Sequence, residues 1–250
     1  MNSKFSNNGF LIAMIVVVVL NVLLPFFSGG NPFASFMTWL INLLLFIPGV
    51  IIGISVHEFA HAFVAYKLGD MTPKFQGRVT LNPVKHIDPI GLIALVFIGF
   101  GWGKPVQVNS SRFKHPRRDN LLTDIAGIVT NFIVAIIFAG LLYLFFMQRN
   151  NLFDMGVSVK VMEYITVAFI GVIRINLVLM IFNLLPVPPL DGFGIVTEIF
   201  NLRATRFYEI VYRLGFPILI VLLLLRIPST VIGPIVQFLF DFVIGIFPFP

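Results

Sequence analysis

Two histidines and a glutamate interrupt an otherwise apolar stretch, SVHEFAHAFV, at residues 55–64. His57 and His61 stand four positions apart. On a helix that spacing projects both imidazoles from one face, about one turn apart, as two ligands of one metal ion require. Glu58 follows the first imidazole and lies around the helix from the pair. There a carboxylate can hold a metal-bound water and take its proton without itself being a ligand. The matching chemistry is peptide hydrolysis, which needs a hydroxide-like nucleophile near neutral pH; Zn²⁺ supplies one by lowering the pKa of bound water to about 7.

Catalytic zinc takes three protein ligands and keeps one position open. The chain contains no cysteine, so thiolate sites, disulfides and cysteine nucleophiles are excluded and the ligands must come from His, Asp or Glu. Asp191, in NLLPVPPLDG at 183–192, best fits the third place. Pro186, Pro188 and Pro189 break the preceding helix and let a side chain turn back toward a helical bundle. Asp124 is the rival, although Asp in a first helical turn commonly serves the helix dipole. His86 and His115 fall in a polar loop, where surface or structural roles suit them.

The elements that position these residues are those of a membrane protein. Of 250 residues, 58% are hydrophobic and 11% charged. The mean hydropathy is +0.98, whereas soluble domains carry roughly one-quarter charged residues. Apolar runs at 10–27, 37–68, 121–147, 162–185, 207–225 and 228–247 suggest about six transmembrane helices, since each approaches or exceeds the roughly 20 residues a span requires. The first is read as a retained span, because the following SGGNPFAS offers no convincing cleavage site. Pro48 and Gly49 predict a kink, or a separate interfacial segment, within the second.

Lys74, Arg78, Lys85, Lys104, Arg112, Lys114, Arg117 and Arg118 fill the one long polar loop, 69–120. Their clustering predicts a cytoplasmic loop, a cytoplasmic N-terminus and an active site near the cytoplasmic face of a multi-pass protein; the expected location is a bacterial cytoplasmic membrane. The net charge of +6 therefore reports topology and does not point to nucleic acid. Within the loop, an apolar run of about 11 residues after Pro89 is too short to span and suggests a re-entrant or interfacial segment. The alternation Val106, Gln107, Val108, Asn109, with 75–81 upstream, predicts short strands in a hairpin at the membrane surface. The expected fold is thus an all-α polytopic membrane protein with a small membrane-associated β-hairpin or re-entrant segment between helices two and three.

The segments HEFAHAFVAYKLGD (57–70), LNPVKHIDPIG (81–91), AGIVTNF (126–132) and NLLPVPPLDG (183–192) resemble those of the site-2 protease family of intramembrane zinc metalloproteases, in the family's order. The resemblance covers about residues 43–200. It implies one Zn²⁺ ion held by His57, His61 and Asp191, with Glu58 as general base. It also implies that Asn183 contributes to substrate or oxyanion contact, and that the GFGWGKPVQVN hairpin pairs with an unwound substrate strand. No inserted PDZ domain or appended CBS domain is recognisable, so residues 1–250 read as a single transmembrane protease domain with accessory helices at 10–27, 207–225 and 228–247.

Physical reasons stand beside these implications. A transmembrane substrate keeps its backbone hydrogen-bonded in lipid, so cleavage requires local unwinding. A strand edge at Val106, Gln107, Val108 and Asn109 can replace the lost bonds by β-augmentation, or the hairpin only closes the cytoplasmic mouth. Asn183 can donate toward a developing oxyanion or serve as a helix-helix hydrogen bond, whereas packing suits Asn131 and Asn176 better. Arg174, deep in an apolar run, calls for a partner, and Asp124 is the expected one. The expected function is an intramembrane zinc endopeptidase acting on transmembrane protein substrates in membrane lipid. The alternative is a metal-handling transporter or sensor using the same His/His/Asp site. Oligomeric state has no signature in the sequence.

Overall fold

A computed structural model describes residues 31–98, 101–224 and 227–249. The expected first span, 10–27, lies outside the described residues. Helices α1 (Pro32–Lys67), α4 (Pro116–Met147) and α6 (Val159–Asn183) pack mutually and form the frame. All three are long and apolar enough to cross a membrane. Between α1 and α4 lie α2 (Thr72–Phe75) and α3 (Pro89–Ile98); α5 (Arg149–Asp154) joins α4 to α6; α7 (Asp191–Ile199), α8 (Arg206–Leu224) and α9 (Ile227–Gly245) follow.

Local chemistry sets the helix ends. Asn31 caps α1 by accepting from the N–H groups of Phe33 (3.1 Å) and Ala34 (3.2 Å), and Pro32 opens the helix where a missing N–H costs nothing. The helix continues through Pro48 as one element of 36 residues, so the separate interfacial segment considered from the sequence does not form. It ends where Gly69 adopts φ +112°, a conformation that L side chains rarely take. Ser158 caps α6 through the Val161 N–H.

Small residues bring the frame together. Ala135 and Ala139 on α4 are fully buried against Ile173 and Leu177 of α6, and Ile232, Val236 and Val243 of α9 complete the same cluster. Where α1 crosses α6, a Cβ on Gly49 would lie 3.0 Å from the Gly171 carbonyl oxygen and 3.1 Å from Val172 Cα. Both neighbours are backbone and cannot rotate away.

The loop region corrects the expected hairpin. Residues 75–81 and 106–109 form no strands, and the described residues of this region contain one isolated antiparallel bridge, Ile87 to Gly103. The apolar run after Pro89 is the ten-residue helix α3. The reason lies in where the backbone donors go. Glu58 Oε2 takes the Val106 N–H (2.9 Å) and Asp70 Oδ2 takes the Asn109 N–H (2.7 Å), so side-chain carboxylates replace a partner strand. Arg174 is likewise resolved differently from the expected pairing with Asp124. It donates to Gln237 Oε1 (3.1 Å) and lies over the Phe240 ring (4.4 Å), both on α9, while Asp124 packs against Gly194 of α7.

The α1/α6 crossing yields a direct test. Gly49→Val should force the two helices apart at a cost of about 1–3 kcal/mol, the usual range for overpacking. Thermal unfolding in detergent should show a lowered midpoint; an unchanged midpoint would remove Gly49 from the contact.

Candidate metal centre

Helix α1 brings His57 and His61 together with their Nε2 atoms 3.0 Å apart, and Asp191 Oδ2 lies 3.1 Å from the first and 3.3 Å from the second. Both imidazoles are buried, and the three ligand atoms all fall within 4.8 Å of one another. The side chains predicted from widely separated segments thus meet. Asp191 reaches them as the first residue of α7, directly after the proline-rich turn 186–189.

Helix α4 decides which ring nitrogens are free. His57 Nδ1 lies 2.7 Å from Asn131 Oδ1, and His61 Nδ1 lies 2.7 Å from the Thr123 carbonyl oxygen. The Asn131 amide nitrogen is committed to the Gly53 carbonyl (3.1 Å) and Asn176 Oδ1 (2.8 Å), so its oxygen is the atom presented to His57. Both facing atoms are acceptors, so both Nδ1 atoms donate. The lone pairs of both Nε2 atoms then point at each other and at a carboxylate oxygen. Asp191 Oδ2 is buried without a hydrogen-bond donor of its own. Three electron-rich atoms converging in this way repel one another unless a cation lies among them, and two imidazoles with one carboxylate are an established zinc donor set. The residues fit the metal.

Gly127, between Thr123 and Asn131 on the same stripe of α4, allows the approach. A Cβ there would stand 2.5 Å from His61 Nε2 and 2.6 Å from His57 Cε1. Only glycine leaves room for both rings.

The remaining predicted residues separate into two groups. Glu58 is half-buried beside the ligands in sequence but turns its carboxylate to Val106, as described above. Val106 and Val108 are half-buried, whereas Gln107 and Asn109 are exposed, so the expected alternation persists without a ladder. Gln107 accepts from Gln76 Nε2 at 3.1 Å. Asn183 is not brought to the cluster by its hydrogen bond, which runs from its amide to the Leu179 carbonyl of its own helix (2.9 Å). The rival ligand Asp124 stands outside the three-atom set. His86 is fully buried and donates from Nε2 to the Thr80 carbonyl (2.7 Å), and His115 precedes α4 with its N–H on Asp119 Oδ2 (3.0 Å).

Sequence reasoning missed Asn131, assigned only to packing, and it missed Thr123, Gly127 and Asp70. A signal was present: Thr123, Gly127 and Asn131 recur every four residues, a polar and small stripe in an apolar helix.

Comparison with known proteins agrees with this geometry. Residues 45–223 match the family model described as Peptidase family M50. The protein named "Putative zinc metalloprotease YwhC" from Bacillus subtilis is 41% identical over 193 residues, which cover 75% of this chain and 84% of that one. "Putative zinc metalloprotease Rip2" from Mycolicibacterium smegmatis is 31% identical over 206 residues, covering 80% of this chain and 74% of the relative. No solved structure matches at a significant level. A match across most of the chain, together with three apolar helices and a His/His/Asp donor set, establishes an integral membrane protein that belongs to peptidase family M50, the site-2 protease family of zinc metalloproteases.

Proposed function

We propose that this protein is an intramembrane zinc endopeptidase of the HExxH type, hydrolysing a peptide bond in or near a transmembrane segment of another membrane protein, as in regulated intramembrane proteolysis. The observation that carries the reading is the placement of the donor set: His57 and His61 lie buried within a helix long and apolar enough to cross a membrane, and Glu58 lies on that same helix between them. Intramembrane ionisable groups are costly and mark function. The wider assignment has six spans, including 10–27 and the two C-terminal helices, in a bacterial cytoplasmic membrane. The N-terminus and the active site then lie on the cytoplasmic side, because Lys and Arg gather in the loop at 69–120.

In this mechanism His57, His61 and Asp191 hold one zinc ion. Asn131 and the Thr123 carbonyl keep the imidazoles in the tautomer whose Nε2 atoms are free. Zinc bound there supplies Lewis acidity that brings the pKa of water to about 7. Glu58 takes the water proton and later delivers it to the leaving amine. The substrate helix unwinds locally, and the segment Val106, Gln107, Val108, Asn109 offers it backbone groups. The N–H groups of Val106 and Asn109 are held by Glu58 and Asp70, so the remaining peptide groups of the segment are the ones available. Asn183 would reach an oxyanion by exchanging its bond to the Leu179 carbonyl for one to substrate.

A transporter or sensor would use the ligands but would have no need of a base. Glu58→Gln should therefore retain zinc while losing roughly 10²- to 10⁴-fold in turnover, the usual contribution of general acid-base catalysis. The measurement is mass spectrometry of membrane peptides in cells carrying the wild type or the variant, with zinc content determined on purified protein. An unchanged peptide set sinks the mechanism, and zinc flux into proteoliposomes in its place selects the transporter. Asp191→Ala should weaken zinc binding by more than the roughly 10- to 100-fold typical of losing an outer-sphere partner. Metal titration of the purified variant checks this, and wild-type affinity would remove Asp191 from the ligand set.

A further inference from the structure

Arg78 is 5% exposed, and no carboxylate stands within ion-pair distance of it among the described residues. A buried cation without a counter-charge is expensive, and its Nη1 adds a second cost because it has no hydrogen-bond partner. What the guanidinium does hold is specific. Its Nη2 donates to the carbonyl oxygens of Lys104 and, at 2.7 Å, of Pro105.

The Pro105 carbonyl and the Val106 N–H belong to one planar peptide unit, conjugated through its C–N bond. That same N–H donates to Glu58 Oε2 at 2.9 Å. A charged donor on the carbonyl oxygen draws electron density through the amide and makes its N–H a stronger donor. The carbonyl grip also fixes the direction in which that N–H points.

The surrounding chain holds both ends of this connection. The Arg78 N–H donates to the Pro73 carbonyl (2.8 Å), and the Arg78 carbonyl accepts from the Thr80 N–H (2.9 Å). On the other side, the Lys104 N–H donates to the carbonyl of the buried His86, at 2.7 Å. Neither the arginine backbone nor the peptide it grips is free to drift.

We propose that Arg78 is a positioning residue for Glu58, acting through the Pro105–Val106 peptide. The peptide N–H occupies Oε2 and sets the carboxylate plane, which leaves Oε1 without a protein donor among the described residues and turned to proton transfer. The inference rests on Glu58 being the general base.

The test uses the purified full-length protein in detergent micelles with fluorescein-labelled casein as probe. Arg78→Gln should lower kcat about 10- to 100-fold, the scale of a misplaced catalytic group, while KM changes less than about threefold. Zinc content and the thermal midpoint should stay near wild type. Arg78→Lys keeps a charged donor for Pro105 and should recover kcat to within about fivefold of wild type. Val106→Pro deletes the N–H itself, leaves Arg78 in place and should reproduce the kcat-selective loss.

Full kcat in Arg78→Gln or in Val106→Pro overturns the proposal. So does a loss that lysine fails to recover, or one that appears in KM or zinc content instead. An active Glu58→Gln protein under the same conditions marks a failure of the general-base reading, separately from what the Arg78 variants do.

Discussion

The centre depends on two hydrogen bonds that do not touch the ligand atoms. Because Asn131 Oδ1 and the Thr123 carbonyl both accept, each imidazole is locked with its proton on Nδ1 and its lone pair on Nε2. Either ring turned over would aim an N–H at the place where a cation belongs. The lock is itself held: Asn131 cannot flip its amide without losing donations to the Gly53 carbonyl and to Asn176, whose own amide is tied to the Val172 carbonyl. A chain of amides therefore runs from α6 through α4 to α1, and the three helices of the frame are registered by the same contacts that prepare the metal site.

A membrane setting explains why this network is so complete. In hydrocarbon, an unsatisfied polar group costs several kcal/mol, so polar residues are retained where each finds a partner or serves a ligand. The one conspicuous buried acceptor among the ligands without a donor is Asp191 Oδ2. Asp191 arrives on a separate short helix, α7, whose far end is anchored to α4: Arg117 Nε donates to the Glu198 carbonyl (2.5 Å) and its Nη2 to the Ile199 carbonyl (2.6 Å). The proline-rich turn directs the start of α7, and Arg117 fixes its end. The helix that carries Asp191, the third candidate ligand, is thus held at both ends.

Sequence showed most clearly what depends on local periodicity. The pair His57 and His61 followed from helical spacing, and Asp191 followed from proline chemistry beside an acidic residue. The long apolar helices followed from span length, although Pro48 left no separate segment because the helix around it is packed on both sides of the crossing with α6. Features set by contacts distant in sequence stayed hidden. Asn131, Asn176 and Asn183 look alike in an apolar background, and only the packing of α4 against α1 distinguishes the one that faces an imidazole. The alternation at 106–109 reads as a strand, and its burial pattern survives. Pairing was lost because two carboxylates, 48 and 39 positions away in the chain, took the donors a ladder would have used. Arg174 was assigned to a carboxylate on charge alone, whereas an amide and an aromatic face on α9 supplied the partner.

One helix, with the turn that follows it, carries nearly every reference point of the site. Its His57 and His61 supply ligand atoms, its Glu58 holds the Val106 N–H, and Asp70, just past its end, holds the Asn109 N–H. Asp70 also accepts from the Thr72 N–H at 2.9 Å, which ties the turn to its own carboxylate. The segment at 104–109 is therefore measured off from the same helix that measures off the two candidate histidine ligands. Such an arrangement couples the segment to the acidic side chain. The segment cannot swing away from α1 without releasing the Glu58 carboxylate, and the carboxylate cannot turn without giving up its bond to the segment. The position of this segment and the orientation of the Glu58 carboxylate are thus parts of one geometry, joined by the Val106 N–H to carboxylate bond.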